Sequence, residues 1–194
     1  MDGTGGDEGP AFRQLGERER YDGSFLRLVT ATIVGPDGFT FERDIVRHCG
    51  AVCVVPLEAD RQHALLVRQY RASVGQSLLE LPAGKLDVAD EPPEECAQRE
   101  LIEEVGRDAG RITRLGWFYN SPGFTDEKTY CYLAEDLIDA ESSAQGVEEH
   151  HMTVERIALS DFEELRAAGE LVDGKTIVGL TLAIAHLQRA GAGG

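Results

Sequence analysis

The segment Arg99-Glu100-Leu101-Ile102-Glu103-Glu104-Val105-Gly106 crowds three carboxylates and one guanidinium onto about two helical turns. At i, i+3 and i+4 spacing, Glu100, Glu103 and Glu104 share one helix face, within reach of a single hard cation. Packed carboxylates repel unless something neutralises them, and an oxygen-loving divalent ion, Mg2+ or Mn2+, does so. The bland alternative is a solvated acidic face with Arg99 pairing with Glu103. The flanks favour the first reading. The run Ser77-Leu78-Leu79-Glu80-Leu81 reads as a strand breaking into a loop at Pro82-Ala83-Gly84. Asp90-Glu91-Pro92-Pro93-Glu94-Glu95 reads as a helix start, with an Asp near the cap, proline in the first turn and acids where the dipole favours them. Gly106 stops the helix.

The elements that must position this unit fit one core of ordinary size, since the chain has 194 residues and 42% apolar content. Gly-rich, charged residues 1–19 are expected to be a flexible tail. Residues 20–48 are expected to form a β-hairpin appendage, with strands over 24–34 and 39–46 around the turn Pro36-Asp37-Gly38. Residues 49–190 form the main domain, and 191–194 a second flexible tail. Strands are predicted over 50–56, 64–70, 111–119, 129–133 and 153–159. A short helix from Ser160 and a terminal helix over 175–189 follow. Mixed strands with few helices indicate an α/β or α+β sandwich.

Net charge is −16, which disfavours nucleic acid as a partner, because phosphate binding there draws on Lys and Arg. It suits a small phosphorylated substrate screened by metal. Cys49, Cys53, Cys96 and Cys131 show no zinc or disulfide spacing and are expected to be buried thiols. The N-terminal residues lack a signal-peptide pattern, and no apolar run approaches the roughly 20 residues of a membrane span. A cytoplasmic location without a membrane partner is the expectation.

Gly84, six residues, Glu91, seven residues, then Arg99-Glu100-Leu101-x-Glu103-Glu104-x-Gly106 resembles the Nudix hydrolase signature. That signature reads Gly, five residues, Glu, seven residues, Arg-Glu-apolar-x-Glu-Glu-x-Gly-apolar. This chain carries one extra residue between Gly84 and Glu91, and Arg107 where an apolar residue is usual. The resemblance implies an α/β/α Nudix sandwich with a mixed sheet between helices over residues 49–190. It further implies metal held by Glu100, Glu103, Glu104 and the Ala83 carbonyl, with Arg99 orienting the carboxylates.

Three more stretches are similar to the ADP-ribose pyrophosphatase subgroup. Ser121-Pro122-Gly123-Phe124-Thr125-Asp126-Glu127 places Pro122, Gly123 and Phe124 at the substrate. Phe118, Tyr119 and Phe124 would line a base or ribose pocket, or else belong to the core. Leu66-Val67-Arg68-Gln69-Tyr70-Arg71 assigns Arg71 to substrate phosphate, and Arg43 is the matching arginine upstream. The alternative for both arginines is an ion pair with a nearby acid. Glu80 is assigned to the pocket rim or a dimer seam. Glu148-Glu149-His150-His151-Met152 resembles a loop whose glutamate accepts a proton from water, Glu149 first and Glu148 second. The histidines would tune pH dependence or lie exposed at the rim.

The resemblance implies hydrolysis of the pyrophosphate bond of ADP-ribose to AMP and ribose 5-phosphate by a homodimer with exchanged N-terminal strands. Hydrolysis of GDP-mannose, another ADP-sugar or 8-oxo-dGTP is the alternative within the fold. A non-catalytic ADP-ribose sensor is the alternative outside enzymology, and it expects a broken acidic box or a basic recognition segment.

Overall fold

A computed structural model describes residues 11–141 and 151–192. The chain divides into two compact units, residues 1–49 with 121–127, and residues 50–120 with 128–194.

The first unit is a three-stranded antiparallel sheet of β1 (Arg13–Asp22), β2 (Leu26–Val34) and β3 (Thr40–His48), in the order β1-β2-β3. Gly38, at φ 81°, closes the β2–β3 turn, where the Asp37 carboxylate accepts from the Phe39 N–H at 3.0 Å. The loop after Tyr119 joins this unit, with the Val46 N–H donating to the Phe124 carbonyl at 2.8 Å.

A two-stranded hairpin preceded by a tail over 1–19 was the expectation here. Residues 1–10 lie outside the described residues, but Arg13–Glu19 belong to β1, which pairs with β2 from Arg13↔Val34 to Asp22↔Arg27. β1 is exposed along its whole length, so no apolar alternation marks it in the sequence. Main-chain pairing and polar ties hold it instead. Arg20 Nε donates to Thr30 Oγ1 at 2.8 Å, Thr30 Oγ1 donates to Asp44 at 2.7 Å, and Arg47 reaches both Glu17 at 2.6 Å and Asp126 at 2.9 Å.

The second unit contains β4 (Ala51–Pro56), β5 (His63–Arg71), β6 (Gln76–Glu80), β7 (Ala83–Lys85), α1 (Pro93–Val105), β8 (Arg107–Tyr119), β9 (Lys128–Asp139), β10 (Thr153–Ala158), α2 (Phe162–Ala168) and α3 (Gly174–Gly191). Its sheets run β7-β4-β9-β8, with β4 and β9 parallel, and β10-β5-β6, all antiparallel. The mixed sheet and the α+β class follow the expectation.

β4 shows why an unbroken apolar run is a strand here. Val52 and Val54 pack with Cys96, Ala97 and Leu101 of α1, while Cys53 and Val55 pack with Leu180 and Ala183 of α3. Period-two alternation therefore buries both faces of the strand between helices. α3 comes close enough that a Cβ on Gly179 would stand 2.4 Å from Leu81 Cδ1.

β8 begins at Arg107 and β9 runs on to Asp139, beyond the predicted 111–119 and 129–133, because their antiparallel pairing extends over edge residues of low apolarity. Arg107 thus opens a strand rather than ending a helix. Gly191 is the last residue of α3, so the predicted tail begins inside it. Cys53, Cys96 and Cys131 are buried free thiols as expected, with Cys96 pushed up to about 12 mainly by burial, whereas Cys49 is exposed. Among the described residues no helix is long and apolar enough to cross a membrane.

Candidate functional site

The segment Leu81-Pro82-Ala83-Gly84 leads out of β6 into β7 and is pinned at three successive residues. The Leu81 N–H donates to Thr176 Oγ1 at 2.8 Å, the Pro82 carbonyl accepts from the Val54 N–H at 2.9 Å, and the Ala83 N–H donates to Glu104 Oε2 at 3.0 Å. α1 begins on Pro92 as cap, without a side-chain cap bond, and on Pro93, whose missing N–H costs nothing in the first turn. The cap is Pro92, and Asp90 lies near it as expected, at φ 62° in the preceding loop. Gly106, at φ 67°, ends the helix in the left-handed region with its N–H on the Ile102 carbonyl at 3.0 Å.

Cys96, Ala97, Leu101 and Glu104 form the buried face of α1. Glu104 thereby turns toward this segment, and Glu100, one turn earlier, meets Gly84. A Cβ on Gly84 would stand 1.9 Å from the Glu100 carboxylate, so only glycine lets that carboxylate lie against the strand backbone. Arg99 grips Glu91 along one edge, Nε at 2.9 Å and Nη2 at 3.0 Å, while Nη1 reaches Glu100 at 2.7 Å and Glu103 at 3.3 Å. These bonds raise the Arg99 guanidinium above its ordinary value, with Glu91 the leading cause, and hold Glu91 below its own. Three carboxylates thus share one guanidinium. With Gly84 cleared for Glu100 and Glu104 held beside Ala83, α1 offers carboxylate oxygens of the type a divalent cation takes.

A second charged cluster lies at the start of the same segment. Glu80, 1% exposed, accepts from Arg71 Nε at 2.8 Å and Nη2 at 2.7 Å, and its Oε2 also receives Lys175 Nζ. Lys175 bonds Asp173 at 3.0 Å, and Asp173 caps α3 by accepting from the Thr176 N–H at 3.0 Å and the Thr176 hydroxyl at 2.6 Å. Burial alone would raise Glu80, but the Arg71 bonds and the Lys175 charge outweigh it and hold the carboxyl below its ordinary value. The Arg71 guanidinium is raised, chiefly by its bonds to Glu80, with Glu104 and Asp173 also within electrostatic reach.

Glu80 departs from its assignment to a rim or seam. It is buried within its own unit and holds two cations, Arg71 and Lys175. Arg71 does make the ion pair weighed as its alternative. Arg43 lies exposed on β3, over the Phe41 ring at 4.6 Å and on the Glu42 carbonyl at 2.8 Å, rather than on an acid. Pro122, Gly123 and exposed Phe124 belong with Arg43 to the first unit. Phe118 packs against the core, whereas Tyr119 is half exposed and stands edge-on to Trp117. Glu148, Glu149 and His150 lie outside the described residues, and His151 is exposed.

Asp173, Lys175 and Thr176 went unassigned in the sequence. Their signal was an N-cap aspartate directly before an apolar helix, which reads as capping alone. Glu58, Asp60 and His63 also converge, on the β4–β5 turn, but Arg156 binds both acids and His63 pairs with Asp60 at 2.7 Å.

A NUDIX domain model matches residues 47–177. The ADP-ribose pyrophosphatase of Bacillus subtilis (strain 168) is 34% identical over 176 residues, covering 91% of this chain and 92% of that protein. The ADP-ribose pyrophosphatase of Mycobacterium tuberculosis (strain ATCC 25618 / H37Rv) is 35% identical over 169 residues, 87% of this chain and 81% of its own. A crystal structure of an ADP compounds hydrolase shares the fold at a TM-score of 0.81 and 20% identity, over 93% of this chain and 96% of that one. The match spans β4 to the start of α3 and contains every residue of the α1 carboxylate cluster, so the chain belongs to the Nudix family.

Proposed function

We propose that this protein hydrolyses the pyrophosphate bond of ADP-ribose to AMP and ribose 5-phosphate with a divalent cation, Mg2+ or Mn2+. The observation that carries the reading is the strand at Ala83 and Gly84, where Glu104 accepts the Ala83 N–H at 3.0 Å and Gly84 leaves room for the Glu100 carboxylate, three residues along the chain from the Glu80 that grips Arg71. The two ADP-ribose pyrophosphatases covering most of the chain support the choice of substrate.

Glu100, Glu104 and the Ala83 carbonyl would hold the cation, with Glu103 as a further ligand. When bound, it supplies the electrophilic field that relieves negative charge on the attacked phosphorus and the leaving phosphate. Arg99 keeps Glu91, Glu100 and Glu103 oriented. Arg71 presents a planar donor fork to a phosphate oxygen. Glu149 is assigned the proton from water, Arg43 a substrate phosphate like Arg71, and Pro122, Gly123 and Phe124 other parts of the substrate. We further infer a homodimer formed through the N-terminal strands, supported by exposed Leu15 and Tyr21 on β1.

The test is incubation with Mg2+ and, separately, ADP-ribose, ADP-glucose, GDP-mannose and 8-oxo-dGTP, with products resolved beside Glu149→Gln and Glu148→Gln. AMP released selectively from ADP-ribose is the expected result. Turnover of another compound alone overturns the substrate assignment, and ligand binding without turnover by the wild type overturns the enzyme reading. Sedimentation showing only monomer at working concentration overturns the dimer.

A further inference from the structure

We infer that Lys175 is a positioning residue of this site, acting through Glu80 to keep Arg71 available to substrate phosphate; the inference rests on the phosphate role proposed for Arg71. A carboxylate that grips a guanidinium along one edge cancels much of the attraction that guanidinium offers a phosphate. Glu80 does this to Arg71 with both oxygens, at 2.8 and 2.7 Å. Lys175 Nζ lies on the same Oε2 that Arg71 Nη2 uses, so the carboxylate's charge is shared between two cations.

The sum of the network decides the outcome. Arg71 and Lys175 balance Glu80 and Asp173, whereas without Lys175 one negative charge remains. That charge would face a diphosphate substrate beside the carboxylates of α1. The surroundings make it count, because Glu80 is 1% exposed and the Lys175 side chain 16% exposed, where solvent screens poorly. The geometry also ties charge to position. Thr176, next to Lys175, receives the Leu81 N–H, and Leu81 follows Glu80 directly. The start of α3 therefore sets both the charge of Glu80 and the path of the segment that carries Ala83 and Gly84.

The experiment compares Lys175→Met, Lys175→Arg and the double variant Glu80→Gln/Lys175→Met with wild type. The readouts are KM and kcat for ADP-ribose, the Kd of ADP-ribose in EDTA, and Tm. Lys175→Met is expected to raise KM and Kd by ~10-fold with kcat changed less than ~3-fold, the scale of one uncompensated charge several ångströms away. Lys175→Arg restores the charge and is expected to return KM to within ~3-fold of wild type. The double variant restores neutrality and is expected to bind more tightly than Lys175→Met alone. A lower Tm for Lys175→Met with KM and Kd unchanged would make Lys175 purely structural and overturn the inference. Failure of the wild type itself to bind ADP-ribose would overturn the functional reading, and the inference with it.

Discussion

Two charged clusters sit at the two ends of the Leu81–Gly84 segment, and they differ in their arithmetic. At the Gly84 end, Glu91, Glu100 and Glu103 share the one Arg99 guanidinium, while Glu104 accepts from the Ala83 N–H. At the Glu80 end, two acids and two cations balance. Acids that share one guanidinium are suited to take up a further cation, whereas a network paired one to one can serve as scaffold. The Glu58 and Asp60 acids likewise share one arginine, Arg156, but on a solvated turn.

The sharpest attempt to break this contrast removes charge from the α1 cluster. Glu104→Gln keeps an oxygen that accepts from the Ala83 N–H but removes one negative charge. Turnover is expected to fall by about 10²–10³-fold, the range typical of removing one electrostatic element at a transition state. The fold is expected to hold, with Tm within about 2 °C of wild type. Unchanged turnover with intact folding would separate the Glu104 charge from catalysis.

Gly84→Ala tests the same cluster without altering charge. Its methyl group must displace the Glu100 carboxylate, which is the end of a flexible side chain and can move. Divalent-metal affinity, followed by titration calorimetry, is expected to weaken by about 10–100-fold, as when a support of a metal ligand is lost. A large fall in Tm with metal affinity retained would instead make Gly84 a packing residue.

These two tests bear on the part of the site that was most legible in the sequence. The α1 carboxylates and Gly84 lie within one short segment, and helical spacing alone puts Glu100 and Glu104 on one face. The Glu80 end could not be read that way. Arg71, Glu80 and Lys175 come from β5, β6 and α3, and the Lys175–Glu80 bond spans 95 positions of sequence. The fold divides similarly. β4 was visible because both its faces are apolar, whereas β1 was missed because its side chains are exposed and its stability comes from main-chain pairing and polar ties. Arg43 and the loop carrying Phe124 were recognised by resemblance, and physical chemistry alone would have made them a strand edge and a turn.

In the balanced cluster the largest expected effect is on stability. Because Glu80 in the folded chain lies below its ordinary value of 4.5, the unfolded chain binds the proton more readily. Its contribution is therefore complete above the unfolded value and is lost as pH falls through the folded one. Glu91 follows the same sign through Arg99. Glu80→Gln, which leaves two cations around a neutral amide, is expected to cost about 2–3 kcal/mol at pH 7, reduced from a fully buried pair by the partial exposure of Arg71. Chemical denaturation from pH 7 to pH 3 checks it, with the gap between variant and wild type expected to narrow in acid. A gap that widened in acid would mean that Glu80 is protonated in the folded protein, and that the cluster is not balanced as described.

The smallest effect separates charge from geometry. Asp173→Asn keeps a strong N-cap for α3, since the amide oxygen can still accept from the Thr176 N–H, and Asn and Asp cap about equally well. Stability is expected to change by less than about 0.5 kcal/mol. The substitution nevertheless tips the network by one positive charge, opposite in sign to the loss of Lys175. KM for ADP-ribose is therefore expected to stay level or fall by about 2-fold, the direction expected when an anion meets a more positive surround. Should Asp173→Asn raise KM as Lys175→Met does, the shared cause would be the hold that Asp173 keeps on the Lys175 ammonium at 3.0 Å, and position rather than net charge would govern how Arg71 is presented.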